Sequence, residues 1–183
     1  MSQLDKFKED YYNTNSKNLF FKKSQKRDIA QKVSSNFNLE DLMKRTIFVI
    51  PNSHHIIFDY TVFKHYAHED NYEDIIQYSR KLIHDCVEQH RSYVFHANIS
   101  SLTITSLERH RRFIDIANQM YMTSGGLGEY FLQIYLYYPP SVMDSVFTII
   151  RPCMDASILN KFVVVSKKDS EDVYPQLLEK CRS

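Results

Sequence analysis

Tryptophan is absent, and glycine occurs only three times in 183 residues. With so few glycines, the chain has few cheap sharp turns. All three, Gly125, Gly126 and Gly128, fall in one place, so that place is informative. No apolar run approaches the roughly 18 residues that a membrane-spanning helix needs. The opening MSQLDKFKEDYY has no signal-peptide apolar region, which sets the expected location in the cytoplasm. Cysteine is sparse and odd in number: Cys86, Cys153 and Cys181 are far apart and read as free thiols in a reducing compartment. An excess of one charge is also missing. The formal net charge of +1 provides no overall field toward nucleic acid or an acidic membrane. There is no internal repeat and no low-complexity tract.

What remains is the composition of one ordinary globular domain, 43% hydrophobic and 25% charged, which is not that of a disordered chain. Residues 1–45 are polar and lysine-rich, with helical patches at Leu4 to Tyr11 and Arg27 to Phe37. A short helix starts at Asn38-Leu39-Glu40-Asp41. From residue 46 the texture changes, and 46–183 reads as one domain. TIFVI (46–50) and HHIIFDYTVF (54–63) read as strands. Asp70 to Arg91 has Ile75, Ile76, Leu82, Ile83 and Val87 at helical spacing. SYVFHANIS (92–100) is a predicted strand. Leu107 to Met122 is a predicted helix with Phe113, Ile114, Ile116, Ala117 and Met120 on its apolar side. FLQIYLYY (131–138) and KFVVVSK (161–167) read as strands, and Glu171 to Lys180 as a closing helix. Strands alternating with helices imply an α/β fold with a mostly parallel sheet. The apolar runs IFVI, YVFH, IYLY and FVVV suit strands covered on one or both faces.

The stretch YYPPSVMDSVFTIIRPCMDASILNK (137–161) raises the functional question. Pro139 and Pro140 end the preceding strand. Ser141 with Asp144 resembles a capping box that opens a helix at about 141. Met143, Phe147 and Ile150 share one face, and Val142, Val146 and Ile149 a neighbouring one. Pro152 disfavours helix at Arg151. A helix this short is not stable alone, so its wide apolar surface must cover something. Two readings are open: a helix packed on the sheet as ordinary core, or a lid over a bound apolar ligand.

The stretch resembles the signature of the CRAL-TRIO lipid-binding family, the fold of the yeast phosphatidylinositol-transfer protein. In that family a strand ends in Asn-Ala-Pro; a short apolar gate helix, Lys-Pro-Phe-Leu-Asp and a strand-opening Lys follow. Here Tyr138-Pro139-Pro140 stands at the first mark, Arg151-Pro152-Cys153-Met154-Asp155 at the second and Lys161 at the third, with the spacing kept. The order of strands and helices also matches, so the resemblance covers about residues 45–180. It implies a sandwich whose mostly parallel sheet is floored by helices, with an apolar pocket and a gate helix. It implies non-enzymatic binding, and transfer between membranes, of a phospholipid or other hydrophobic ligand, with transient contact at a membrane surface. No cofactor beyond bound lipid and no nucleic acid partner is implied.

The resemblance also assigns residues. In phosphoinositide-binding members a Glu and the strand-opening Lys act at the inositol phosphate; these fall on Glu129 and Lys161. A cation there gains a charge-assisted hydrogen bond to a phosphodiester, and a carboxylate accepts from inositol hydroxyls. The Thr that such members carry three residues before the Lys is Ile158 here. An acidic residue and a Gly expected in the strand before the family's turn are missing from HANISSL. Phe131, Ile134, Leu136, Met143, Phe147 and Ile150 are the expected pocket and gate residues. The alternative from another class is a protein-interaction scaffold of the BCH type, with a filled pocket and a protein partner.

Other chemistry is weakly represented. His54-His55 and His65 with His68 are the densest histidines, but zinc needs about four convergent ligands, and Asp59 or Glu69 adds little. GxSxG is absent, and Cys86 lies in a predicted helix with no phosphate-binding loop after it. TSGGLGEY follows a helix and precedes a strand, the reverse of a dinucleotide loop, and reads as a helix cap and turn. The run KKSQKR (22–27) beside Phe20 and Phe21 is a solvated face or a contact for an anionic membrane.

Overall fold

The computed structural model describes residues 3–14, 22–123 and 126–181. In chain order the helices and strands are α1 (Gln3–Thr14), α2 (Lys22–Asn36), α3 (Leu39–Thr46), β1 (Ile47–Val49), β2 (His55–Asp59), α4 (Tyr60–Phe63), α5 (Tyr72–His90) and β3 (Tyr93–Asn98). They continue with α6 (Ile104–Arg109), α7 (Arg111–Thr123), β4 (Phe131–Tyr137), α8 (Met143–Ile150), α9 (Ala156–Leu159), β5 (Phe162–Val164) and α10 (Lys167–Glu179). Gly125, Phe20 and Phe21 lie outside the described residues.

The described strands form one sheet in the order β1-β2-β3-β4-β5. β1 runs antiparallel to β2, and β2 to β5 are mutually parallel, as the alternation of strands and helices implied. The first hairpin turns through Asn52, held at φ 55°, a left-handed conformation that Asn tolerates. Ser53 Oγ ties it by donating to the Ile50 carbonyl at 2.8 Å.

Register sorts the sheet into two faces. Ile56, Phe95, Ile134 and Phe162 form one cross-strand row, with Phe58, Ala97 and Leu136 in the next. This face meets α5, α7 and α8 in the main core. The opposite face carries Ile57, Tyr135 and Tyr137 and is covered by Tyr174, Leu177 and Leu178 of α10. A β-bulge between Tyr93 and Val94 sets Phe131 opposite Tyr93 and passes over Leu132, which is exposed. Ile29 and Val33 of α2 join Leu42 and Met43 of α3 in the main core.

Local chemistry shifts several boundaries. The strand predicted through Phe63 stops at Asp59. Its carboxylate accepts from Thr61 N at 2.7 Å and Thr61 Oγ1 at 2.6 Å, which caps α4. The single helix predicted over 107–122 is two helices. Thr103 and Ser106 form a capping box that starts α6 early, and the chain breaks at His110, whose ring turns into the core. Asn38 caps α3 as the sequence suggested, accepting from Asp41 N at 3.1 Å. Cys86 and Cys153 are buried free thiols and Cys181 is a half-buried one.

Candidate functional site

β4 ends where Tyr138 adopts φ 55°, with its amide donating to Ser170 Oγ at 3.0 Å. Pro139 and Pro140 follow. The capping box expected from Ser141 and Asp144 does not form: the helix opens two residues later, at Met143, and its cap residue Val142 makes no side-chain cap bond. α8 closes into a 3₁₀ turn, Arg151–Cys153, with Pro152 inside it. Asp155 then caps α9 by accepting from Ser157 N at 2.8 Å. A short apolar helix between the prolines therefore exists, but it starts later than expected, and Arg151 before Pro152 keeps helical angles, φ −49° and ψ −45°.

Its inner face is Met143, Val146 and Ile150, packed toward Leu107 of α6 and Ile114 of α7. Phe147 is half-buried beside them, its ring edge-on to Phe162 with centroids 6.0 Å apart. Beneath α8, against the sheet, lies a cavity of about 180 Å³ that exposes only apolar surface. Ala97, Leu136, Met143, Val146 and Ile150 are part of its wall. A second apolar cavity of about 160 Å³ adjoins it toward Phe95 and Met120. Phe58, Phe113, Ile114, Ile134 and Met154 border both and form the partition between them.

His110 is part of the first cavity's wall but keeps its nitrogens occupied. Arg109 donates to Nε2 at 3.0 Å, and Nδ1 lies 2.8 Å from the Tyr72 hydroxyl. Burial, helped by the Arg109 charge, pushes the imidazole down to about 3, so it is neutral. Arginine only donates, so Nε2 accepts, and the ring proton sits on Nδ1 and is given to Tyr72.

Of the residues expected at the pocket, Ile134, Leu136, Met143 and Ile150 border these cavities. Phe131 is buried at the other end of β4, stacked on Tyr93 at 5.3 Å. Glu129 is exposed in the 3₁₀ turn Leu127–Tyr130, before β4. Lys161 donates to the carbonyls of Gly128 at 3.3 Å and Phe131 at 2.5 Å, and its ammonium stands 5.3 Å from the Phe131 ring centre. Val146 was legible as a neighbour of Met143 at helical spacing, yet it was set on the adjacent face. Phe58 and Met154 carried no periodic signal.

The histidines are used locally. His68 Nδ1 accepts from Asp70 N at 3.3 Å as a cap, and its Nε2 lies 2.9 Å from Ser34 Oγ. Among the described residues, the one His and carboxylate cluster within ligand reach is His84, Asp85 and Glu88, on the surface of α5.

No family model matches the chain, and no curated protein matches it by sequence. Nine chains of solved structures match it in fold. One is the crystal structure of Sfh5, a CRAL-TRIO protein, at a TM-score of 0.53 and 9% identity. The match covers 88% of this chain and 66% of the Sfh5 chain, just under two thirds of its length. At that identity the likeness is one of fold: a mixed α/β architecture with a five-stranded, mostly parallel sheet. No helix among the described residues is long and apolar enough to cross a membrane.

Proposed function

We propose that the protein binds a lipid in the apolar space beneath α8, without catalysing a reaction, and that α8 is the gate. The observation that carries this reading is an apolar cavity roofed by a proline-bounded helix, with a second apolar cavity adjoining it. Each methylene moved from water into such a site gains about 0.8 kcal/mol, the same sum a bilayer offers. A carrier therefore needs only a dry cavity and a door. The cavities of about 180 and 160 Å³ compare with roughly 150 Å³ for a cavity that admits benzene. A phospholipid thus requires α8 to swing out; a single chain requires less.

Transfer between membranes follows from the same motion, with the exposed Val142 at the start of the gate meeting the bilayer. A phosphoinositide head group at Glu129 and Lys161 would require Lys161 to release the carbonyls of Gly128 and Phe131. A second reading, a protein-interaction scaffold, draws support from the partition: Phe58, Phe113 and Met154 fill much of the space a two-chain lipid would need.

Native mass spectrometry of the purified chain, before and after incubation with vesicles, separates the two. A stoichiometric mass increment that resolves to lipid supports the carrier. A bare protein that takes up no lipid favours the scaffold.

A further inference from the structure

A polar pocket of about 230 Å³ lies at the carboxyl ends of β2 and β3. Its wall includes Lys26, Tyr60, Lys64, Ser101, Thr103 and Arg109. Tyr60 is 4% exposed, and among the described residues its hydroxyl makes no hydrogen bond of good geometry, although Ser106 and Arg109 lie near it; nor does the buried Oγ of Ser101. A buried hydroxyl left unbonded costs about 1–3 kcal/mol, so two in one pocket mark a site built for an acceptor or donor that arrives with a ligand.

The cations point the same way. Arg109 donates to His110 and, at 3.5 Å, to the Lys64 carbonyl, and among the described residues no carboxylate pairs with its guanidinium. The Lys64 ammonium is lowered first by burial, then by Lys26 and Arg109, while Asp59 opposes the shift. Asp59 already caps α4 through Thr61. Positive charges that disfavour one another around unbonded hydroxyls are relieved by an anion.

Tyr60 borders both the polar pocket and the apolar cavity beneath α8. Its hydroxyl lies on the side of Ser106 and Arg109, which border only the polar pocket. We infer that the two form one amphiphile site: an acyl chain in the apolar cavity and a phosphate or carboxylate among Tyr60, Lys64, Ser101 and Arg109. The inference rests on the lipid reading above and moves the head group away from Glu129 and Lys161. The ligand class is a small anionic lipid.

The test titrates the full chain with lysophosphatidic acid, the monoacylglycerol of the same chain and glycerol 3-phosphate. Lysophosphatidic acid is expected to bind at least tenfold tighter than monoacylglycerol, with glycerol 3-phosphate weakest. Lys64→Gln and Tyr60→Phe are expected to remove most of that preference, weakening lysophosphatidic acid far more than monoacylglycerol. Arg109→Gln adds a third check, and the other two variants keep the test decisive if it fails to fold. Equal binding of the charged and neutral lipids overturns the head-group site but spares the lipid reading. Glycerol 3-phosphate binding as tightly as lysophosphatidic acid overturns the joined site and leaves a pocket for a free anion. If neither acyl compound binds, the lipid reading falls, and this inference with it.

Discussion

His55 and His96 meet across β2 and β3 with Nδ1 of one 2.8 Å from Nε2 of the other. His96 Nδ1 lies 3.0 Å from the Tyr137 hydroxyl, and its ring stacks on Tyr135. His54 stacks on His55 at 4.5 Å. Two imidazoles at that separation share one proton, so they cannot both be charged without repulsion.

This pair sets a pH prediction. Burial first, then the charges of His55, His54 and Lys180, push His96 down to about 4. Burial, His54 and Lys180 also lower His55. An unfolded histidine titrates at about 6.5, above the folded values. The linked stability is therefore fully present above about pH 6.5 and is lost as pH falls through about 4. His110 extends the loss to lower pH. Thermal unfolding should show a Tm that drops between pH 7 and 4, and His96→Phe should flatten that acid limb. A level Tm over the range contradicts the assignment.

Phe147→Asp places a charge on the half-buried side of α8, against Phe162. A buried charge without a partner is costly, so the variant should unseat the gate more than it unfolds the domain. Lipid uptake in a vesicle assay should fall at least tenfold while the circular dichroism spectrum stays native. Unchanged uptake by a folded variant rules out α8 as the gate.

Met154→Ala opens the partition between the two cavities. Truncating a core methionine costs about 2–5 kcal/mol, and half-buried Met154 should sit at the low end. Calorimetry should show that loss together with tighter binding of longer acyl chains. A lower Tm with no change in chain-length preference means the cavities do not act as one space.

Lys161→Met should cost about 2 kcal/mol of stability, because hydrogen bonds from its ammonium to Gly128 and Phe131 are removed. Glu129→Gln, at an exposed position, should cost almost nothing. If both variants also reduce binding to phosphoinositide vesicles in proportion, the family-like head-group pair is supported. A stability loss confined to Lys161→Met, with vesicle binding intact, assigns Lys161 a purely structural role.

The sequence carried the strands and the short helix α8 because both depend on local signals. β-branched runs at Phe48, Val94 and Val163 mark strands, and Pro139, Pro140 and Pro152 bracket α8. It lost the break at His110, since a histidine turning inward between α6 and α7 leaves the apolar spacing of Phe113, Ile116 and Met120 intact. It also read Tyr60 to Phe63 as strand, because aromatic and β-branched residues suit a sheet; the decisive bond is the one the Thr61 amide donates to the Asp59 carboxylate. The polar pocket was the least legible feature. Tyr60, Lys64, Ser101 and Arg109 are spread over two crossover connections, and only the parallel pairing of β2 with β3 brings them together.

The strand order has one further consequence, for how the chain acquires its shape. Among the described strands, each after β1 pairs with the one that precedes it. Each parallel pair nonetheless waits for a whole crossover to be made, as when His55 meets Val94 beyond α5, and such non-local pairing slows folding. The sheet can grow from β1 outward in the order of synthesis, each crossover helix settling as its strand docks. α10, the last element, then seals the opposite face, with Tyr174 closing over Ile57 and Tyr137.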